Sequence, residues 1–313
     1  MFGFINLNKP QGFTSHDCVA KMRRLLNTKK IGHGGTLDPL ATGVLPIAVG
    51  KATRLLQFLP TAKSYRALIR LGVQTTTDDL EGEIVATHTT DHLQEQEILS
   101  CLSLFTGQIE QVPPKYSAIK QKGKKLYELA RQGIEVDVPK RQVEINKCQL
   151  VNFLPGEFWE IEVEIDCGPG TYIRAIARDL GNQLGVGGTL ANLIRTKSCG
   201  LDLTDSTLFS EIDAEIEDQS FKLIAPDEPL AHLPRIELHL DESKRWCNGQ
   251  LILLTSQSCD LITQSGLKTL ALEEQPYVRV YQQDQTFLGI GILVPEQENF
   301  LIRPKIVCKN FEP

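Results

Sequence analysis

Ile31-Gly32-His33-Gly34-Gly35-Thr36-Leu37-Asp38-Pro39-Leu40-Ala41-Thr42-Gly43 is the stretch on which the reading of this chain turns. It shows neither the period of two of a strand nor the longer period of a helix. Its glycines permit positive φ and close backbone approach, and Pro39 steers Asp38 out of the α region. A single small carboxylate held out on such a loop is a candidate nucleophile or base. Asp-Pro also starts ordinary turns, so the loop alone supports both readings.

Working outward, Phe2 to Leu7 reads as a strand and Asn8-Lys9-Pro10-Gln11-Gly12 as a turn. Ser15 is placed to cap a helix running to about Asn27, with Val19, Met22 and Leu26 on one face. On the other side of the loop, Val44–Val49 reads as a buried strand, and Gly50-Lys51-Ala52-Thr53-Arg54 opens a short helix ending near Leu59. That Gly-Lys-Ala-Thr string lacks the upstream glycine spacing of a phosphate-binding loop. Ser64 to Gly72 alternates, with Tyr65, Ala67, Ile69 and Leu71 on one side. An acidic turn at Asp78–Gly82 leads to a strand at Glu83–Thr87, and Leu93–Phe105 has helical spacing.

A short helix is expected near Leu126–Gln132, and strands at about Gln142–Phe153 and Phe158–Cys167. At Gly168-Pro169-Gly170-Thr171-Tyr172-Ile173-Arg174 a strand ends, two glycines turn the chain, and Thr171 is placed to cap a helix running to about Leu184. Tyr172 and Arg174 then fall at the start of that helix, where anions are favoured. Leu190–Lys197 reads as a strand, and Pro226, Pro229 and Pro234 mark a linker. Past the linker lies a small, mostly β unit, with a helical piece at Ser243–Cys247 and strands at Gln250–Thr255, Thr269–Ala271, Tyr277–Tyr281, Phe287–Leu293 and near Leu301.

Composition sets the class. The 313 residues suffice for two domains, and 41% hydrophobic with 23% charged residues is the balance of a globular protein. Eight cysteines stand singly, with no C-x-x-C pair, which argues against zinc and disulfides and for a reducing cytoplasmic setting. No secretory signal and no membrane-length apolar run is read. The net charge of −6 is unevenly spread. Residues 1–70 hold eleven Lys or Arg against two acids, 71–113 hold eight acids and no Lys or Arg, and 114–147 return to nine basic against four acidic. Two basic blocks could form one positive face for a polyanion.

Together these residues resemble the TruB family of tRNA pseudouridine synthases. The resemblance runs in order through Asn8-Lys9-Pro10, Gly12-Phe13-Thr14-Ser15, the loop from His33 to Gly43, and Lys63-Ser64-Tyr65-Arg66. It continues through Lys115-Tyr116-Ser117-Ala118-Ile119-Lys120, Tyr127-Glu128-Leu129-Ala130-Arg131, Gly170-Thr171-Tyr172-Ile173-Arg174 and Leu193-Ile194-Arg195. It implies an α+β pseudouridine synthase fold: a mixed, largely antiparallel sheet flanked by helices, with a PUA-like, mostly β C-terminal domain. It implies a catalytic domain at 1–232, carrying an RNA-clamping insertion at about 113–140, and an appended domain at 233–313. The implied reaction is isomerisation of uridine to pseudouridine at position 55 in the T loop of tRNA, with the base flipped out.

The resemblance assigns catalysis to Asp38, Tyr65 and Arg174, and substrate binding to His33, Tyr172, Leu193, Lys9 and Arg195. It implies no metal or organic cofactor, tRNA as partner through its T-stem-loop, no obligatory protein partner and a monomer. Gly168-Pro169 departs from the serine and lysine many relatives have, which removes one positive contact and stiffens the turn. A non-catalytic RNA-binding or tRNA-chaperone protein on the same scaffold is the alternative from a different class. A relative guided by RNA and protein partners is a nearer one, and the basic 113–140 segment favours stand-alone action on tRNA.

Overall fold

The computed structural model describes residues 1–116, 120–121, 124–125, 138–254, 276–296 and 299–309. Most of the expected insertion at 113–140 lies outside the described residues, as do the helix expected near Leu126–Gln132 and the strand at Thr269–Ala271.

The first strands are β1 Gly3–Lys9, β2 Ile31–His33, β3 Thr42–Val49 and β4 Lys63–Leu71. Next are β5 Val73–Thr75, β6 Ile84–Thr87, β7 Gly107–Gln111, and the short β8 Lys120–Gln121 and β9 Lys124–Lys125. Then come β10 Arg141–Leu154, β11 Glu160–Cys167, β12 Gly188–Ser198 and β13 Leu201–Asp202. Nine of these form one sheet, in the order β1-β3-β12-β4-β11-β10-β7, with β2 beside β3 and β13 beside β12. Among the described residues only the β3–β12 pairing in this sheet is parallel, so the sheet is mixed and largely antiparallel as expected.

The alternation on β4 sets the layers. Tyr65, Ala67, Ile69 and Leu71 are buried, as are Ile161, Val163, Ile165 and Cys167 on β11. This face packs on the helix Ile173–Gln183 through Ile173, Ile176, Ala177 and Leu180, and on the helix Glu95–Ser103 through Ile98 and Leu102. Each such isoleucine, valine or leucine side chain stabilises the fold by about 1.5–3 kcal/mol when fully buried. The opposite face carries cross-strand ion pairs, Arg70 with Glu160 at 2.7 Å and Arg66 with Glu162 at 3.4 Å.

A second apolar layer lies under β1 and β3, where Leu7, Leu45 and Ile47 meet Cys18 and Met22 of the helix Ser15–Leu25 and Ile212 of the helix Phe209–Glu217. The latter helix lies between the strand expected at Leu190–Lys197 and the proline-marked linker, where no element was expected. Its apolar side chains on this layer, Phe209, Ile212 and Ile216, are spaced among acids that hide them in the sequence.

Three other local expectations are corrected. Ile31–His33 is a strand, paired with Val49, Ala48 and Ile47, because three residues are too few to show a period. Thr14, not Ser15, caps the first helix: its hydroxyl accepts from the Asp17 amide at 3.0 Å, while the Asp17 carboxylate accepts from the Thr14 amide at 2.9 Å. The segment after β3 makes two 3-10 turns, Gly50–Arg54 and Leu56–Phe58.

The remaining strands, β14 Arg235–Leu238, β15 Ile252–Leu253, β16 Tyr277–Gln282, β17 Phe287–Glu296 and β18 Asn299–Val307, form a second sheet in the order β14-β16-β17-β18-β15. Its core surrounds Trp246 of the helix Leu240–Cys247. The two sheets are docked through a buried apolar cluster in which Ala48, Leu55 and Phe58 meet Ile290, Ile306 and Cys308. Phe58 and Tyr277 stack edge-on at 4.8 Å, and the Lys51 ammonium donates to the Cys308 carbonyl at 2.9 Å. No helix among the described residues is long and apolar enough to cross a membrane.

Candidate active site

The Asp38 loop is held almost residue by residue. The Arg195 guanidinium donates to the carbonyls of Gly35 at 3.0 Å, Thr36 at 3.2 Å and Val44 at 2.8 Å. Ser15, buried rather than capping, accepts from the Leu37 amide at 2.8 Å and donates to the Leu37 carbonyl at 3.2 Å. The Pro39 carbonyl accepts from the Gly12 amide at 2.9 Å and from the Lys9 ammonium at 3.4 Å. Lys9 also donates to the carbonyls of Pro10 and Phe13, at 2.9 and 2.6 Å. Gly43 closes the loop with φ +98°, where an added Cβ would lie 2.3 Å from the Arg195 carbonyl oxygen. Only glycine fits that approach.

What the clamped loop presents is the Asp38 carboxylate, with 43% of its side chain exposed. Its Oδ2 lies 2.9 Å from a guanidinium nitrogen of Arg174, a side chain that is itself 8% exposed. Arg174 is buried among four acceptors: Asp38, the Asp79 carboxylate at 3.3 Å, and the carbonyls of Thr77 and Tyr116, each at 3.0 Å. Asp79 is buried in turn, accepting from the Thr77 hydroxyl at 2.5 Å and the Glu81 amide at 3.1 Å. The acidic turn at 78–82 is therefore internal wiring, with Asp78 on Arg178 at 2.9 Å and Asp79 on Arg174. A guanidinium suits this place because it stays charged at any working pH and its planar fork reaches several oxygens at once.

Tyr65 stands beside the same loop by strand register, opposite Arg195 on β12. It packs in one apolar cluster with Leu37 and Leu193. Burial pushes its phenol up to about 12, the Arg195 cation pulling the other way, so the ring carries a neutral hydroxyl across the physiological range. Leu193 follows a register shift between Leu190 and Asn192, a bulge of the kind that re-aims side chains. His33 ends β2 with its ring edge-on to His16 at 5.5 Å, and its buried Nδ1 has no hydrogen-bond partner among the described residues. Burial first, then His16 and Arg195, lower its pKa and favour the neutral imidazole.

Tyr172, not Thr171, is the capping residue of the helix Ile173–Gln183, and it makes no side-chain cap; the Thr171 hydroxyl donates instead to the Gly168 carbonyl at 3.1 Å. The structure thus brings Asp38 and Arg174 into contact and sets Tyr65 and Leu193 beside their loop. Lys9 and Arg195, expected to meet substrate, are fully buried with their donors on backbone carbonyls, so here they shape the loop.

Residues 23–173 match the model of the TruB family pseudouridylate synthase N-terminal domain, and residues 234–307 that of the pseudouridine synthase II TruB C-terminal region. A protein of Gloeothece citriformis named tRNA pseudouridine synthase B is 52% identical over 98% of this chain and 97% of its own length. The chain belongs to the TruB family. A second such relative, from Trichormus variabilis, is 49% identical over the whole chain and 99% of its own length. Among solved structures, one chain of a Cbf5-Nop10-Gar1 complex superposes with TM-score 0.71 at 23% identity, covering 98% of this chain and 84% of its own. Another, from an H/ACA ribonucleoprotein bound to a substrate RNA, gives 0.69 at 22%, covering 100% and 86%. At that identity the likeness concerns the fold.

Three residues of this TruB site were missed in the sequence. Ser15 looked like a cap and Asp79 like a turn acid. Gln111, at the end of an unforeseen strand, accepts from the Tyr172 amide at 2.8 Å and donates to the Tyr172 carbonyl at 3.1 Å. The Asp78-Asp79-Leu80-Glu81 run, acidic yet next to a buried strand, was the one usable signal.

Proposed function

We propose that this chain isomerises uridine to pseudouridine in tRNA, at position 55 of the T loop, with Asp38 as the catalytic carboxylate. It acts without a protein partner, a reading that rests on its likeness over nearly its whole length to relatives named tRNA pseudouridine synthase B. The observation that carries the assignment is the 2.9 Å contact between Asp38, half open to solvent, and the buried Arg174. A carboxylate closed off beneath a substrate tends to be neutralised, and a fixed cation beside it opposes that. The reaction breaks the C1′–N1 bond, turns the uracil and joins C1′ to C5; the C5 proton is then lost to solvent while N1 takes one up, so the product is an isomer.

Asp38 is the anionic participant in that exchange. Tyr65 supports the flipped uracil with a buried ring and takes part, as a neutral hydroxyl, in handling the C5 proton. Tyr172 and Leu193 wall the base pocket, and neutral His33 fills the space the nucleotide leaves, which lowers the cost of extruding it. Lys9 and Arg195 serve by fixing the loop. The catalytic unit is residues 1–232, the docked β unit is 233–313, and the compartment is the cytoplasm, where scattered thiols stay reduced. A non-catalytic RNA binder has no use for a buried guanidinium held between two carboxylates.

Asp38→Asn tests the assignment. It should release no tritium from tRNA labelled at uridine C5 while binding that tRNA as the wild type does. Tritium release at the wild-type rate would overturn it.

A further inference from the structure

Gln111 is 1% exposed and is the last residue of β7, opposite Arg141, the first residue of β10. The chain thus leaves the sheet at Gln111 and re-enters it at Arg141, so the pair forms the neck of the basic insertion. From that neck Gln111 reaches 61 residues along the sequence and closes a two-bond amide clamp on the backbone of Tyr172. Tyr172 is the capping residue of the helix that bears Arg174, and no side chain of its own caps the helix.

The same helix is tied to the neck twice more. Arg178 donates to the Val112 carbonyl at 2.8 Å, and Arg174 to the Tyr116 carbonyl at 3.0 Å. Four hydrogen bonds therefore join residues 111–116 to residues 172–178, and two of them belong to one buried amide side chain. Its oxygen and nitrogen match the N–H and C=O of a single residue, a pairing that glutamate reproduces only in half and methionine not at all.

On the reading of Asp38 and Arg174 given above, we infer that Gln111 is a positioning residue for pseudouridine formation. It fixes Tyr172 and the first turn of the Arg174 helix against residues 111–116, so that the pocket wall and the cation facing Asp38 keep one relative geometry. The consequence is specific. Losing the clamp frees the backbone that carries both a pocket wall and the cation facing Asp38, whereas replacing a neutral side chain that is 1% exposed removes no charge that could meet a phosphate. A small displacement of a catalytic group lowers the rate far more than the affinity.

The test uses the full-length enzyme and unmodified tRNA tritiated at uridine C5, with single-turnover rates at saturating enzyme, tRNA affinity by filter retention, and thermal melting. Gln111→Met, equal in size but unable to make either bond, should slow the single-turnover step by about tenfold or more, with affinity within about twofold. Gln111→Glu keeps the acceptor for the Tyr172 amide and should fall between methionine and wild type. A Gln111→Met rate equal to wild type overturns the inference. So does a Gln111→Glu variant as slow as Gln111→Met when both melt at the wild-type temperature. If Gln111→Met melts early, the Gln111→Glu rate at a temperature where it is folded decides: an intermediate rate supports positioning, and a wild-type rate overturns it. Wild-type enzyme that forms no pseudouridine would instead sink the proposed function, a distinct outcome.

Discussion

Replacing Arg174 by methionine separates the two tasks that the buried guanidinium performs. The substitution keeps the length of the side chain and removes the charge and all four contacts, at 2.9, 3.3, 3.0 and 3.0 Å. Asp38 is partly exposed and can be rehydrated, but Asp79, at 3% exposure, is left as a buried anion without its cation. Breaking one side of a buried pair costs about 3–5 kcal/mol, mainly from that uncompensated charge. For a unit of roughly 200 residues, each kcal/mol lowers the melting temperature by about 2–4 °C, so Arg174→Met should melt about 10 °C early. Removal of a preorganised electrostatic group from an active site also costs roughly 10²–10³ in rate. The double variant Arg174→Met/Asp79→Asn removes the orphaned charge with a near-isosteric amide. It should regain more than half of the lost melting temperature and none of the lost activity. Calorimetry and single-turnover tritium release read the two quantities independently. If the double variant melts as early as the single one, Asp79 is not the source of the cost. If it regains activity, Arg174 is a structural cation only.

The same geometry makes two further outcomes testable. Gly43→Ala places a Cβ 2.3 Å from the Arg195 carbonyl at φ +98°, so the β3–β12 junction must shift. A loss of about 2 kcal/mol or more by denaturant titration is expected, and a loss below about 0.5 would contradict the close approach. The second concerns alkaline pH. Burial pushes the Cys148 thiol from 9.0 to about 12 and the Tyr65 phenol from 10.0 to about 12. Both pKa values are raised in the fold, so the folded chain retains protons that the unfolded chain has released. The contribution to stability is whole below the unfolded values and falls as pH rises from 9 toward 12. Melting temperatures should decline above about pH 9, and Cys148→Ala should flatten the first part of that decline. A profile level from pH 9 to 11 would refute it.

The difference between what was legible and what was not tracks the range of each signal. Tyr65, Ala67, Ile69 and Leu71 announced a half-buried strand because the signal is local and two residues long. Asp38 and Arg174 were named because their motifs resemble the family's. Ser15, Asp79 and Gln111 were missed because each works on a partner 22, 95 and 61 positions away. Nothing near them in sequence marks that partner. The resemblance assigned Lys9 and Arg195 to substrate binding, and a motif shows that a charge is present but not which way it points. Both turn inward onto carbonyls.

The sequence by itself determined the α+β class, the loop that holds the carboxylate, most strands of the main sheet and the family. These rest on short periods, on glycine and proline at fixed places, and on motifs in a fixed order. Tertiary structure alone decided that Arg174 sits between two carboxylates, and that Gln111 ties the insertion's neck to the helix bearing it. It also decided that the C-terminal sheet is docked on Phe58 rather than free. The physical reason is that a buried charge or amide is defined by which partners surround it. Those partners, on β7, the 78–82 turn and the Ile173–Gln183 helix, become neighbours only when the sheet closes.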